Sequence, residues 1–245
     1  MHLSQRSELG SMMKRISKQE FLEILNNRKP GERLEFKDYE FESMDLSGMD
    51  LSNIDFVLSS LQHVILRHVN LENSSLENSL FDGTDLHGAN LRNANMRMGA
   101  FRNCNLGECD IRGADLFASV LESANLEGII SDENTKFFRL RCPEEGAFIG
   151  YKKCVNDRIV QLLIPADARR TSSTMHCCRC DKAKVLTIKS FDYKERFDEA
   201  WSLVDENFVY RVGEWAVAEN FNPDRWYDST GGIHFWMYRE EAIAY

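Results

Sequence analysis

From Phe36 to Leu126 every fifth residue is large and apolar, nineteen times without a break, including Phe41, Leu46, Phe56, Leu66, Phe81, Met96, Phe101 and Ile111. With 43% of the chain hydrophobic, chance would produce such a run in about one of ten million trials. A period of five matches neither the 3.6 of a helix nor the 2 of a strand, so the chain has to turn within every repeat. If each five-residue unit forms one side of a square, four units close a coil. Residues twenty apart then stack, and their backbones pair as in a parallel β-helix.

That geometry also sends the residue two before each centre inward, where space is tight. These positions are small at Ser59, Ser74, Ser79, Thr84, Ala89, Ala94, Gly99, Cys104, Cys109, Ala114, Ser119 and Ala124. The earlier ones, Leu34, Tyr39, Met44, Met49 and Ile54, are bulky and predict a wider or irregular first coil. The segments MDLSGMDLSN, GTDLHGANLRNANM and ADLFASVLESANLEG resemble the pentapeptide-repeat family, whose pattern is A(D/N)LXX, over about residues 34–128. The resemblance implies a right-handed quadrilateral β-helix. Nineteen repeats make just under five coils, about 23 Å tall at roughly 4.8 Å per coil.

A solenoid needs its open ends covered. Ser17 and Glu20 are spaced as a capping box, with Ile16 and Phe21 as its hydrophobic staple, so a short helix with Phe21, Ile24 and Leu25 on one face is expected to cap the first coil. The first dozen residues read as a frayed or added end, with Met13 an alternative start. The period fails after Gly128, and residues 129–138 read as a connection. Beyond it, strand-like runs fall at Ala147 to Tyr151, Ile159 to Ile164, Lys184 to Ile188 and Ile233 to Tyr238, with Gly231 and Gly232 as a turn. Asp192 and Glu195 suggest a second capping box, opening a helix that buries Phe197, Trp201 and Val204 and wets Asp198, Glu199, Asp205 and Glu206.

The blocks CPEEGAFIGYKKC, IVQLLIPADARRTSS, KAKVLTI, YRVGE and GIHFWMYREEAIAY resemble the domain of unknown function that follows pentapeptide repeats in bacterial and tailed-phage proteins. That resemblance brings no agreed activity. The expected fold is therefore mainly β: an N-terminal segment and capping helix at 1–33, the quadrilateral β-helix at 34–128, the connection at 129–138, and an α+β domain at 139–245.

Formal charge is −9 overall and is unevenly spread: −10 over residues 34–128, +6 over 139–189 and −7 over 190–245. The net negative charge argues against direct nucleic-acid binding by the whole surface. No apolar run is long enough to cross a membrane, and the first residues lack the apolar stretch of a secretory signal. Seven cysteines without a disulfide-scaffold spacing fit a reducing compartment, so the cytoplasm is the expected location.

The acids of the repeats sit mostly just before the centre, at Asp45, Asp50, Asp85, Asp110 and Asp115 among others, where Asn70, Asn90, Asn95, Asn105 and Asn125 also stand. A short polar side chain there can satisfy turn amides. The sharper alternative is a negative rod imitating duplex DNA, as the resemblance implies for members that protect or inhibit gyrase; Arg67, Arg92, Arg97, Arg102 and Arg112 interrupt such a rod.

In the second domain Arg169, Arg170, Ser172, Arg179 and Lys182, with His234 further on, could bind a phosphate-bearing partner through charge-assisted hydrogen bonds, or could be a solvated face paired with neighbouring acids. No nucleotide-binding glycine loop accompanies them. His176, Cys177, Cys178 and Cys180, with Cys142 and Cys154, invite a zinc reading that their spacing does not favour, and Cys104 and Cys109 read as inward packing. Ser172 or Cys178 with His234 could be named as nucleophile and base, but sequence alone brings none of them within reach. These features point to a non-enzymatic interaction or scaffold protein with a protein partner, no cofactor and no metal. A DNA-mimic inhibitor of a topoisomerase or other DNA-binding protein, for which the resemblance of the second domain implies a phage source, and an enzyme or nucleotide-binding module in 139–245 are the alternatives; self-association stays open.

Overall fold

The computed structural model describes residues 13–227 and 229–245, and the chain divides into two compact units, the first ending at Arg139 and the second covering Leu140–Tyr245. The expected frayed first dozen residues lie outside the described residues.

In the first unit β1 (Lys14–Ile16) pairs in parallel with β3 (Tyr39–Phe41), and β2 (Leu34–Glu35) with β4 (Ile54–Asp55). Single parallel bridges then repeat at an offset of twenty, from Glu40 with Ser60 to Asp110 with Ile130. The five-residue period is the cause: residues one coil apart present the same side chain to the same place. All nineteen centres are buried except Leu126, which is half-buried. The ladder continues beyond Gly128, where the sequence suggested only a connection. Asp115 pairs with Lys136 at an offset of twenty-one, so one extra residue is absorbed in the last coil.

The inward small residues do chemical as well as steric work. Ser59, Ser74, Thr84 and Ser119 donate their hydroxyls to the carbonyls of Phe36, Leu51, Leu61 and Met96 at 2.6–2.9 Å, each 23 residues back. Cys104 and Cys109 donate their thiols to Phe81 and Leu86 in the same way. Thr135, displaced by the extra residue, reaches Ile111. The acids and amides before each centre satisfy turn amides: Asp45 accepts from Ser47 N, Asp50 from Ser52 N, Asn90 from Arg92 N and Asp110 from Arg112 N. They also form ladders, with Asn70 donating to Asp50 and Asn90 to Asn70, both at 2.9 Å. Hydrogen bonding of this kind explains why Asp and Asn interchange at that place.

Each turn has a left-handed residue two after its centre, from Asp38 to Gly128, with Ser43 the exception. Gly and Asn tolerate that region; Leu58, Met98 and Ala118, at φ of 55–58°, do not do so without strain. Met98 is 43% exposed, so its side chain contributes little burial. Met98→Gly is expected to raise stability by about 0.5–1 kcal/mol after the added freedom of the unfolded chain is subtracted, read as a higher urea midpoint. A lower midpoint would mean that packing of the methionine outweighs its backbone strain.

α1 (Lys18–Asn26) carries the expected capping box: Ser17 accepts from Glu20 N, and Glu20 accepts from Ser17 N. Ile16 and Phe21 are both buried, and Phe21 packs edge-on against Phe36 and Phe41 at about 5 Å. The apolar face is narrower than the sequence implied. Ile24 is exposed and Leu25 only half-buried, so a single aromatic anchors the helix.

The second unit is built on a sheet of seven strands among the described residues: β5 (Phe148–Cys154), β6 (Arg158–Ile164), β7 (Arg170–Ser172), β8 (Cys177–Cys180), β9 (Lys182–Ser190), β12 (Trp215–Val217) and β13 (Ile233–Trp236), in the order β12-β9-β6-β5-β13-β8-β7. Alternation along these strands buries Val160, Leu162, Ile164, Cys178, Cys180, Val185 and Phe235 in one cluster. The opposite face holds Ile159, Trp236 and Ala242, the last from α2 (Arg239–Ala244). Gly231 and Gly232 lie in the bend that enters β13.

The helix expected from Asp192 is absent. Asp192 instead accepts from Ser190 Oγ and Lys194 N in a tight turn, and residues 199–201 form β10 (Glu199–Trp201), paired antiparallel with β11 (Val209–Arg211). Asp198, Glu199, Asp205 and Glu206 therefore belong to a hairpin and its approaches. Val204, expected to be buried, is 79% exposed, and Trp201 is exposed too, whereas Phe197 packs against the core beneath Arg158.

Candidate functional site

β8 lies between β7 and β13, and this pairing gathers most of the sequence-derived candidates. Arg170 faces Cys180, Ser172 faces Cys178, and Arg179 faces both Thr171 and His234. Arg169 and Lys182 stand at the outer ends. The cations are close together, but their donors are engaged inside the unit. Arg179, 3% exposed, donates to the carbonyls of Asn222, Gly231, Asp224 and Tyr227 at 2.8–3.1 Å. Arg170 donates to Gly146, Pro165, Ala166 and Ala168 and lies over the Phe148 ring.

Arg169 pairs with Asp181 at 2.9 Å and lies over Phe221; Lys182 pairs with Asp167 at 2.6 Å, which holds the Asp167 carboxyl below the usual range. Ser172 is buried, its hydroxyl accepting from Arg141 N and its carbonyl from Arg225 Nε. A phosphate entering here would have to displace carbonyls or carboxylates from nearly every donor. The arrangement is a clamp on the loops around β7, β8 and β13.

The thiols are divided by strand alternation. Cys178 and Cys180 point into the apolar core, and Cys177 points to the opposite face, so the cysteine run does not converge. Among the described residues no group of three or more His, Cys, Asp or Glu side chains is placed to hold a metal ion. His176 turns instead to Glu241 at 3.1 Å. The pairing of Cys178 with His234 considered from sequence is not formed. It is Cys177 Sγ that lies 3.4 Å from His234 Nδ1, while His234 Nε2 meets the Thr230 carbonyl at 2.9 Å. A carbonyl can only accept, so Nε2 carries a proton, and Nδ1 faces a thiol that also has the Cys178 carbonyl within 3.5 Å.

Burial separates the cysteines by reactivity. It pushes the Cys104, Cys109 and Cys154 thiols up to about 12, whereas Cys177 is half-buried. Iodoacetamide at pH 8 is expected to label Cys177 in the folded protein and to spare Cys104, Cys109 and Cys154, because only thiolate reacts. Peptide mass spectrometry reads the result, and modification of Cys104 or Cys109 at a matching rate would contradict the inward placement.

Three matches to known families follow the same division of the chain. Residues 34–111 match the pentapeptide repeat region, and residues 100–130 match pentapeptide repeats (8 copies). The first unit is therefore a pentapeptide-repeat solenoid. Residues 138–242 match a family of unknown function (DUF5758), so the chain joins pentapeptide repeats to a DUF5758 domain. No curated protein matches the chain.

Among solved structures the chain is similar to the pentapeptide repeat protein Rfr23 of the cyanobacterium Cyanothece 51142. Identity is 35%, the match covers 37% of this chain and 62% of that one, and the TM-score is 0.37. A pentapeptide repeat protein of the Arabidopsis thaliana thylakoid lumen is 24% identical, with 41% and 70% of the two chains covered and a TM-score of 0.36. QnrB1, a plasmid-mediated fluoroquinolone resistance protein, is 18% identical over 40% of this chain and 55% of its own, with a TM-score of 0.27. The chain spans less than two thirds of Rfr23.

Proposed function

We propose that the protein is a non-catalytic interaction scaffold, in which a right-handed, four-sided β-helix capped by α1 carries a C-terminal domain that docks another protein. In this reading residues 1–33 lead into the repeat body at 34–128, residues 129–138 complete its last coil, and 139–245 form the docking domain. The seven free thiols suit a reducing compartment.

The observation that carries the reading is the edge of the seven-stranded sheet. β12 is its outermost strand, and Trp215 and Val217 stand 52% and 54% exposed on either side of buried Ala216. An outer strand offers unpaired backbone groups to an incoming strand, and exposed alternate apolar residues give that strand something to pack on. The internal engagement of Arg170 and Arg179 supports an apolar docking edge over a phosphate site. Affinity purification of the full chain from its native host, compared with the Trp215→Glu, Val217→Lys double variant, tests this. The expected result is one protein recovered by the wild type and lost by the variant. Turnover by the full chain together with unchanged recovery would sink the reading.

The DNA-mimic alternative calls for carboxylates open along the wall. Asp55, Asp82, Asp85, Asp110 and Asp115 each pair with an arginine, respectively Arg33, Arg102, Arg67, Arg112 and Arg97, which favours the scaffold. Inhibition of gyrase supercoiling at micromolar protein would reverse that preference. An enzyme built on Cys177 and His234 would need turnover that Cys177→Ser abolishes.

A further inference from the structure

Lys152 is a buried charged group for which the docking role has no use. It stands in β5 between Gly150 and Cys154, in phase with the apolar face, and is 5% exposed. Its ammonium makes no hydrogen bond and no ion pair among the described residues, and its tip keeps contact with the solvent of a neighbouring cavity. Burial holds the amine below the usual lysine range. A lone buried cation is a poor structural element, since an apolar side chain of the same length would fill the place without the desolvation penalty.

The surroundings give the charge a purpose. β13 meets β5 at one pair only, Trp236 with Tyr151, and the next pair in that register, Phe235 with Lys152, is not formed. Where the ladder stops there is a cavity of about 380 Å³, lined by Lys152 and by residues of β13 and the bend before it. Tyr210 lines the same cavity. It is 2% exposed, its hydroxyl has no hydrogen-bond partner among the described residues, and burial keeps its phenol protonated, hence a donor. Phe208, Ala218 and Ile233 supply apolar wall, Ser202, Asn220, Thr230 and His234 supply polar wall, and Asp205 contributes a negative charge that opposes anions, polyanions most strongly. One cation, a neutral phenol donor and an apolar patch within a partly polar wall suit a small monoanion with a hydrocarbon body.

We propose that this cavity binds a small carboxylate, with the carboxylate paired to Lys152 Nζ and hydrogen-bonded by Tyr210 Oη, and the apolar body against Phe208, Ala218 and Ile233. The site goes beyond the docking role and does not depend on it. The ligand supplies a counter-charge that the fold does not place on Lys152, and the partly enclosed pocket strengthens the pair relative to open water.

Isothermal titration of the full chain with acetate, butyrate and benzoate tests the proposal. Saturable one-to-one binding is expected, tightening about tenfold from acetate to butyrate because two further methylenes are buried. Lys152→Met keeps an unbranched chain one atom shorter and removes the charge; it is expected to weaken benzoate at least about tenfold, the loss of a charged hydrogen bond. The same variant, free of ligand, should melt at a higher temperature, which separates loss of the site from loss of the fold. Tyr210→Phe, lacking one oxygen, should weaken benzoate several-fold and keeps the test standing if Lys152→Met does not fold. Failure of all three carboxylates to saturate, unchanged benzoate binding in both variants, or tighter binding of inorganic phosphate than of benzoate would each overturn the proposal.

Discussion

Phe81→Ala is expected to lower the stability of the repeat unit by about 3–5 kcal/mol, the loss found when a buried aromatic leaves an incompletely filled cavity. Phe81 is fully buried, and its ring stacks on Phe101 with centroids 5.1 Å apart. One coil away in the other direction stands Leu61, also fully buried. A stacked-repeat fold is held by the packing of neighbouring coils, so removing one ring weakens both interfaces of its coil at once. Urea unfolding followed by circular dichroism should show a lower midpoint and a broadened transition, as the coils on either side lose their coupling.

The contrast with the surface is large. Arg67 pairs with Asp85 at 3.0 Å with both side chains partly exposed, and Arg67→Ala is expected to change stability by less than about 1 kcal/mol. A loss for Phe81→Ala as small as that would mean the ladder is loosely packed and the stacking argument wrong.

The repeat unit was legible in the sequence because every coil imposes the same requirement at the same position. Leu46, Leu66 and Leu86 are separate readings of one spatial constraint, and Asn70 and Asn90 are readings of another. What broke the pattern was a single extra residue near Thr135, too small a change for periodicity to register after the last strong repeat. In the second unit the strands β5, β6, β9 and β13 were legible from apolar alternation. The helix at Asp192 was not a safe inference, since an Asp accepting amides serves a tight turn as well as a helix start. Pairing of β10 with β11 decided between them, and the loop that joins these strands, residues 202–208, holds no glycine or proline to mark a hairpin turn in the sequence.

The candidate site was less legible for a related reason. Arg170 and Arg179 look like free cations in sequence because their acceptors are backbone carbonyls, mostly of the adjacent turn for Arg170 and of a distant segment for Arg179, and every residue type supplies a carbonyl equally. Cys177 and His234 are 57 residues apart and meet only through the register of β8 with β13. Lys152 could have been placed facing inward from its phase with Gly150 and Cys154. Its isolation could not, because that depends on where the β5–β13 ladder stops.

The second large effect is expected at Arg179. Arg179→Leu should cost about 3–5 kcal/mol, since hydrogen bonds to a charged group contribute about 1.5–3 kcal/mol each and are not additive within one clamp. Its guanidinium gathers carbonyls from Asn222, Asp224, Tyr227 and Gly231, and so ties the segment before β13 to the centre of β8. A planar fork of five donors can do this where the compact ammonium of lysine cannot, so Arg179→Lys should recover less than half of the loss. Limited proteolysis supplies an independent readout: in both variants cleavage should rise between residues 222 and 232, the span the guanidinium holds. Stability within about 1 kcal/mol of the wild type, joined to a loss of phosphate binding, would instead make Arg179 a ligand contact and restore the basic cluster as a binding site.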